Sequence, residues 1–294
     1  MGRPVQSGPG SAPSVLRMVL AKRLRERRER AGVSQEEAAE ALDVSFATVW
    51  RMEGAKTSLR TLYLRSLLRH YGADEEEVEE FVQLAKKAEE PGWWNAFREA
   101  LPEWFGVYLS LESEARLIAA YEPHYVSGLL QTPAYARATL RVGFPHESEA
   151  QLDRRVELRM RRQRILERTA PPTLWLVMDE TALRRVIGGP EVMRAQIDAL
   201  LHAMQYEHIA LSVLPFGAGA HPGTGGHYSY LRFAEPEIPD TVYLESLSSA
   251  QYFQERDDIE PYLNAHTVMA AMASETVPDL RQWLHDLRKE YEYA

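Results

Sequence analysis

The sequence contains no cysteine. That excludes disulfides, thiol nucleophiles and cysteine-ligated zinc or iron–sulfur centres, and a cytoplasmic location follows most simply. Long apolar runs are also missing. No segment offers the ~18–20 uninterrupted apolar residues that span a bilayer, so no membrane partner is expected. The first stretch, MGRPVQSGPGSAPS, lacks the apolar core of a secretory signal. Its Gly, Pro and Ser content reads as a flexible arm over residues 1–13. Catalytic signatures are scarce too. The Gly-rich segment GAGAHPGTGG has no Gly-Lys-Ser/Thr ending, and no G-x-S-x-G elbow or His-Glu-x-x-His pair occurs. No enzyme activity, metal or cofactor is therefore expected. Asp179-Glu180 at a strand end, with His221 and His227 flanking the Gly-rich loop, keep an uncharacterised enzyme fused to a second module as the minor alternative.

What is present points to two domains. A chain of 294 residues, 45% hydrophobic, is globular and long enough for two cores. Its net charge of −9 argues superficially against nucleic acid, but the charge is unevenly spread. Residues 1–72 hold 13 Lys/Arg against 7 Asp/Glu, and the remainder 21 against 36. A basic module fused to an acidic body accounts for this, although a merely solvated basic helix would look the same by charge alone.

Local pattern favours the basic module. From Val15 to Ala31, Leu16, Leu20 and Leu24 recur at helical spacing among arginines, and Gly32 supplies a stop. Ser34 and Glu37 form a capping box for a second helix, in which Ala38, Ala39 and Leu42 point inward and small Ala39 lets another helix approach. After a short break at Asp43–Val44, Ser45 caps SFATVWRME. Val49 and Met52 face inward there, while Phe46, Ala47, Thr48, Trp50 and Arg51 lie nearer the outside. Two short helices about a tight turn, crossing at small residues, define a helix-turn-helix whose second helix enters the major groove. A fourth helix, LRTLYLRSLLRHYG, offers Leu59, Leu62, Leu67 and Leu68 to the core. The acidic start of a fifth, DEEEVEEF, suits a helix N-terminus.

The order basic helix, Gly, Ser-Gln-Glu-Glu, Ala-Ala, Val-Ser, Glu53 over residues 16–72 closely resembles the xenobiotic-response-element regulators, relatives of phage Cro and repressor. The resemblance implies a double-stranded DNA partner and a homodimer. It implies that Ser45, Phe46, Ala47 and Thr48 face bases and adjoining phosphates, that Gln35 supports the recognition helix or touches backbone, and that Arg51 reaches a guanine edge or a phosphate. Arg28 and Glu53 match a structural ion pair tying the first helix to the end of the third. One departure stands out: relatives carry Glu-x-Gly where this chain has Glu53-Gly54-Ala55. Since Gly, not Ala, tolerates positive φ, a turn shifted by one residue is a possible consequence. That leaves the phosphate role of Lys56 open.

From Pro91 the composition changes. Trp93, Trp94, Phe97, Trp104 and Phe105 crowd together, as a packed hinge or, less simply, a ligand cage. SLESEARLIAAYE reads as a helix capped by Ser110. A further helix over 147–168 carries Arg154, Arg155, Arg159, Arg161, Arg162, Arg164 and Arg168, which suits a salt-bridged scaffold or partner face better than a second nucleic-acid contact. Four β-like runs follow at 173–179, 209–216, 227–233 and 241–246, a helix at 190–206 separating the first two in β-α-β fashion and the last three being candidate antiparallel neighbours. Helices at 255–274 and 279–292 close the chain. The expected fold is mainly α with an α+β second domain: a five-helix repressor-type bundle at 14–73, a helical and aromatic linker at 74–106, and helices around a small sheet at 107–294.

The phrases YEPHYVSGLLQT, RRQRIL, DETALRRVIGG, VLPF and HPGTGGHYSYLRF, followed by VYLES, are similar to the C-terminal domain of WhiJ-like actinobacterial regulators over residues 92–285. That resemblance implies a regulatory body, sensing a small molecule or a small protein encoded nearby, or an antitoxin-like module that sequesters a partner. Trp93, Trp94, Tyr121, Gln131, Glu180 and His221 are the candidate effector-pocket residues.

Overall fold

The computed structural model describes residues 15–90, 92–102, 105–235 and 238–292. The expected arm at 1–13 and Trp104 lie outside them. Among the described residues no helix is long and apolar enough to cross a membrane.

The first domain is a bundle of five helices: α1 Val15–Arg30, α2 Gln35–Ala41, α3 Phe46–Glu53, α4 Thr61–His70 and α5 Glu75–Glu89. Local chemistry sets its corners. Gly32 takes φ +68, and the Val33 amide bonds back to the Arg28 carbonyl, which ends α1 in a left-handed cap. The Ser34 hydroxyl accepts from the Glu37 amide while the Glu37 carboxylate accepts from the Ser34 amide, opening α2. Asp43 takes φ +54, a conformation that Asp tolerates better than most residues. Ser45 heads α3 by its carbonyl, which accepts from the Thr48 amide. Its hydroxyl faces the Thr48 hydroxyl at 3.0 Å and makes no side-chain cap, contrary to the sequence expectation. Leu62, expected inside, is 76% exposed, and Leu64 is fully buried in its place. Leu64, Leu67, Leu68 and Tyr71 share one face at i, i+3, i+4, i+7, and Leu62 stands off it. Val78, Phe81, Val82 and Ala85 of α5 complete the same core, so by packing α5 belongs to the bundle and not to a linker.

A kinked 3-10 segment, Trp93–Ala100, leads to the second domain. Here α6 Phe105–Glu114 runs directly into β1 Ala115–Glu122. The other elements are α7 Pro133–Gly143, α8 Glu149–Gln163, β2 Thr173–Asp179, α9 Glu180–Arg184, α10 Pro190–Ala203, β3 Ile209–Leu214, β4 Tyr228–Phe233, β5 Thr241–Glu245, β6 Ala250–Phe253, α11 Arg256–Thr276 and α12 Leu280–Glu290. The strands form one sheet in the order β3-β2-β1-β4-β5-β6. β3, β2 and β1 are parallel; β4, β5 and β6 continue antiparallel.

Two expectations are corrected here. The stretch from Ala115 to Glu122 is a central strand, not the end of a helix, and β3 sits at the far edge rather than beside β4. β1 is sandwiched: Ile118 and Ala120 join the core with Leu174, Leu176, Ile197 and Leu200, while Ala119 and Tyr121 join Val177, Tyr230 and Met269 on the other face. A strand buried on both faces loses the alternation that marks strands in a sequence.

The two domains touch through α1. Leu20 and Leu24 fill the bundle core, but Val19, one step round the helix, is buried in the core of the second domain, with Met18 and Leu84 against it.

Candidate nucleic-acid interface and the cavity of the second domain

Helix α3 buries Val49, Met52 and Glu53 and exposes its opposite face. Phe46 and Trp50, large apolar residues one turn apart, are 46% and 47% exposed. Ala47 and Arg51 are exposed between them and Thr48 is half-buried. Large apolar side chains exposed next to one another, unlike single ones, mark an interaction surface. Lys56 stands with Nζ 3.9 Å from the Trp50 ring centroid, a cation–π contact that fixes its amine on the same surface. Trp50 is the residue of this surface that sequence reasoning left out of the site; its signal was the four-residue spacing from Phe46.

The helix is braced from behind. The Arg28 guanidinium donates to both Glu53 carboxylate oxygens, at 2.7 and 3.1 Å, and to the Val33 carbonyl at 2.7 Å. Gln35 Nε2 donates to the same carboxylate at 2.7 Å. Glu53 raises the Arg28 pKa, chiefly through that hydrogen bond. Gln35 is therefore engaged in positioning α3. The turn after α3 is not shifted: Ala55 itself takes φ +54. For an L-residue with a Cβ that conformation costs about 1–2 kcal/mol. Ala55→Gly should therefore raise stability by about 0.5–1 kcal/mol after the entropy that glycine adds to the unfolded chain. Urea denaturation of the intact protein checks this, and a lower midpoint would show that the buried methyl outweighs the strain.

The second domain holds a cavity of about 440 Å³ beneath one face of the sheet, within the usual size of small-molecule sites. Phe105, Ile118, Leu140, Phe144 and Leu158 give it apolar walls; Glu122, Gln131, Arg155, Arg159, Arg162, His227 and Glu245 supply polar groups. Its floor includes Ala100, Leu101 and Pro102, the chain arriving from the first domain. Two of the arginines are paired: Arg155 with Glu147 at 2.6 Å, and Arg162 with Glu112 at 2.6 Å. Burial works to lower the Arg162 pKa, and the Glu112 charge more than reverses it. Burial, with Arg162 beside it, instead takes the Arg159 pKa down to about 10, still protonated at neutral pH. Burial pushes the Glu122 carboxyl up to about 7 against the pull of Arg162 and Arg159. It holds His227 down to about 4, helped by Arg162 and His124.

A family model described as a helix-turn-helix domain matches residues 19–81. A second, described as a domain of unknown function, DUF5753, matches residues 105–284, more than half of the chain. The chain belongs to the DUF5753 family. No curated protein and no solved structure matches it. Its helix-turn-helix gives it the architecture of a DNA-binding regulator, and the DUF5753 match contains the sheet and all of the cavity lining except Ala100, Leu101 and Pro102.

The six candidate pocket residues do not meet in that domain, which corrects the sequence reading. Only Gln131 lines the cavity. Trp93 and Trp94 pack edge-to-face on the 3-10 segment, 5.9 Å between centroids, outside it. Tyr121 contacts His221 edge-on on the α11 side of the sheet. His221 Nδ1 accepts from the Gly223 amide at 3.2 Å. Glu180 accepts from Arg184 and from the Phe216 amide and so holds a loop. The cavity's carboxylates, arginines and His227 come from β1, α8, β5 and the turn before β4, too far apart in sequence for spacing to reveal them.

Proposed function

We propose that this protein is a sequence-specific transcriptional regulator of the xenobiotic-response-element type, with a WhiJ-like body that senses a small molecule. The observation that carries the DNA-binding part is the exposed face of α3, bearing Phe46, Ala47, Trp50 and Arg51, on a helix locked from behind by Arg28, Gln35 and Glu53. A groove-reading helix needs both a free face and a fixed orientation. One such helix reads few base pairs, so the active form is a homodimer whose two helices lie about 34 Å apart on a near-palindromic site. The cavity, floored by the interdomain chain, favours a small-molecule effector over a partner protein. The cations of α8 support the same choice, since Arg154, Arg155 and Arg162 are taken up by internal carboxylates and leave less charge for a protein partner. We read the body as non-catalytic.

Binding to genomic fragments, measured across salt, tests this. Log affinity should fall linearly with log salt as phosphate counterions are released, with one family of sites preferred and a dimer on the site in sedimentation. Equal binding to all fragments at every salt, or a monomer on the preferred site, rejects the reading.

Within the interface, the Arg51 side chain is exposed and reads a base. Arg51→Ala should cost about 1–3 kcal/mol on the best operator and relax preference at one position per half-site. Lys56→Ala should weaken all sequences about equally and lower the salt slope. Selection from randomised operators separates the two; unchanged specificity in Arg51→Ala assigns that residue to phosphate.

A further inference from the structure

Of the three arginines in the cavity, Arg159 alone has no hydrogen bond or close ion pair to a carboxylate among the described residues. A guanidinium carries five N–H donors, and that of Arg159 makes one hydrogen bond, to the neutral Gln131 side-chain oxygen at 2.6 Å. Gln131 is itself fixed, its amide donating to the Val126 carbonyl at 2.7 Å, so it presents its oxygen to Arg159 and has no charge to give. Arg155 and Arg162 beside it are each clamped by a glutamate. Glu122 and Glu245 offset its charge through space only, so its remaining N–H groups are free to take the oxygens of an anion. The fork geometry of guanidinium matches a carboxylate or a phosphate. Glu122 and Glu245 face the same space, and their charge disfavours a dianion. The walls of Phe105, Ile118, Leu140 and Leu158 require an apolar remainder.

We infer that the cavity binds an organic monocarboxylate of about 10–20 non-hydrogen atoms in all, a size suited to a cavity of this class, its carboxylate paired with Arg159 and its apolar body against the walls. The upward-shifted Glu122 carboxyl supports this, since in its protonated form it repels no anion. Because Ala100, Leu101 and Pro102 floor the cavity, an occupant rests on the chain that joins the two domains. This deepens the small-molecule sensor reading and rests on it for any effect on DNA.

The test separates the two. Calorimetric titration of the full chain, without DNA, uses phenylacetate, 3-phenylpropionate, indole-3-acetate and octanoate, each beside its primary amide. The expected result is saturable 1:1 binding of at least one carboxylate, tenfold or more tighter than its amide. Arg159→Gln should lose tenfold or more with little change in Tm, because it removes a cation held by no close ion pair, and an amide at that position can still donate to the Gln131 oxygen. Arg161→Gln, an exposed arginine on the same helix, should bind as the parent does. No saturation by any carboxylate up to 10 mM, amides binding equally, or undiminished binding by Arg159→Gln overturns the inference. If Arg159→Gln fails to fold, the carboxylate–amide comparison on the parent chain decides alone. Operator affinity is then measured with and without the carboxylate that binds. Binding that leaves operator affinity unchanged keeps the site and rejects the sensor reading.

Discussion

Glu53→Ala should lower the unfolding free energy by about 3–5 kcal/mol, the range for removing one member of a buried ion pair. Arg28 and Glu53 are both buried, and the Glu53 carboxylate accepts from Arg28 twice and from Gln35 once. Without it, the Arg28 guanidinium stays sheltered with only the Val33 carbonyl at hydrogen-bonding distance and an exposed neighbour, Glu29, at 3.6 Å. The loss is larger than the pair's own worth, because most of it comes from the stranded charge. Removing both charges, as in Arg28→Met with Glu53→Leu, should therefore recover much of the stability. DNA affinity should not recover with it, because α3 would lose the network that sets its angle to α1 and α2. Urea denaturation and operator titration on both variants beside the parent check this. A double variant as unstable as Glu53→Ala would mean the network acts through packing rather than charge.

Phe97→Ala should cost about 3–5 kcal/mol, as expected for a fully buried aromatic ring. Phe97 is completely enclosed between Leu109 and Leu158, with the Arg154 guanidinium 4.0 Å above its ring. The neighbouring Trp94 is only partly buried, so Trp94→Ala should cost less. Since Leu158 also lines the cavity, the Phe97 substitution should weaken the second domain first. In calorimetry the second domain's transition should move down while the bundle's moves less, unless Val19 docking couples them into one. Equal costs for the two substitutions would show that the segment packs as a loose aromatic cluster without a single anchor.

The bundle was legible because its signals are local. A capping box needs residues three apart, Gly32 ends a helix by its own conformation, and the small residues at Ala38 and Ala39 mark a helix crossing within one short motif. Even there, the phase of α4 was decided by packing, which chose Leu64 over Leu62. So was the fate of Val19, which periodicity assigns to its own bundle's flank and which the second domain buries. The β-α-β unit from Thr173 to Leu214 could also be read, since a helix between two apolar runs joins parallel neighbours.

The rest belongs to contacts between distant segments. By itself the sequence determined a basic helix-turn-helix, which face of its third helix is exposed and a mixed second domain, because capping, turn chemistry and helical periodicity act over a few residues. Tertiary structure alone decided that Ala115–Glu122 is a central strand, since burial on both faces erases alternation. It decided that β3 lies at the sheet edge, since strand order depends on which faces α10 and α11 cover. It also decided that Glu122, Gln131, Arg159 and Glu245 share one cavity while Trp93, Glu180 and His221 do not, because the sheet gathers side chains from segments more than a hundred residues apart.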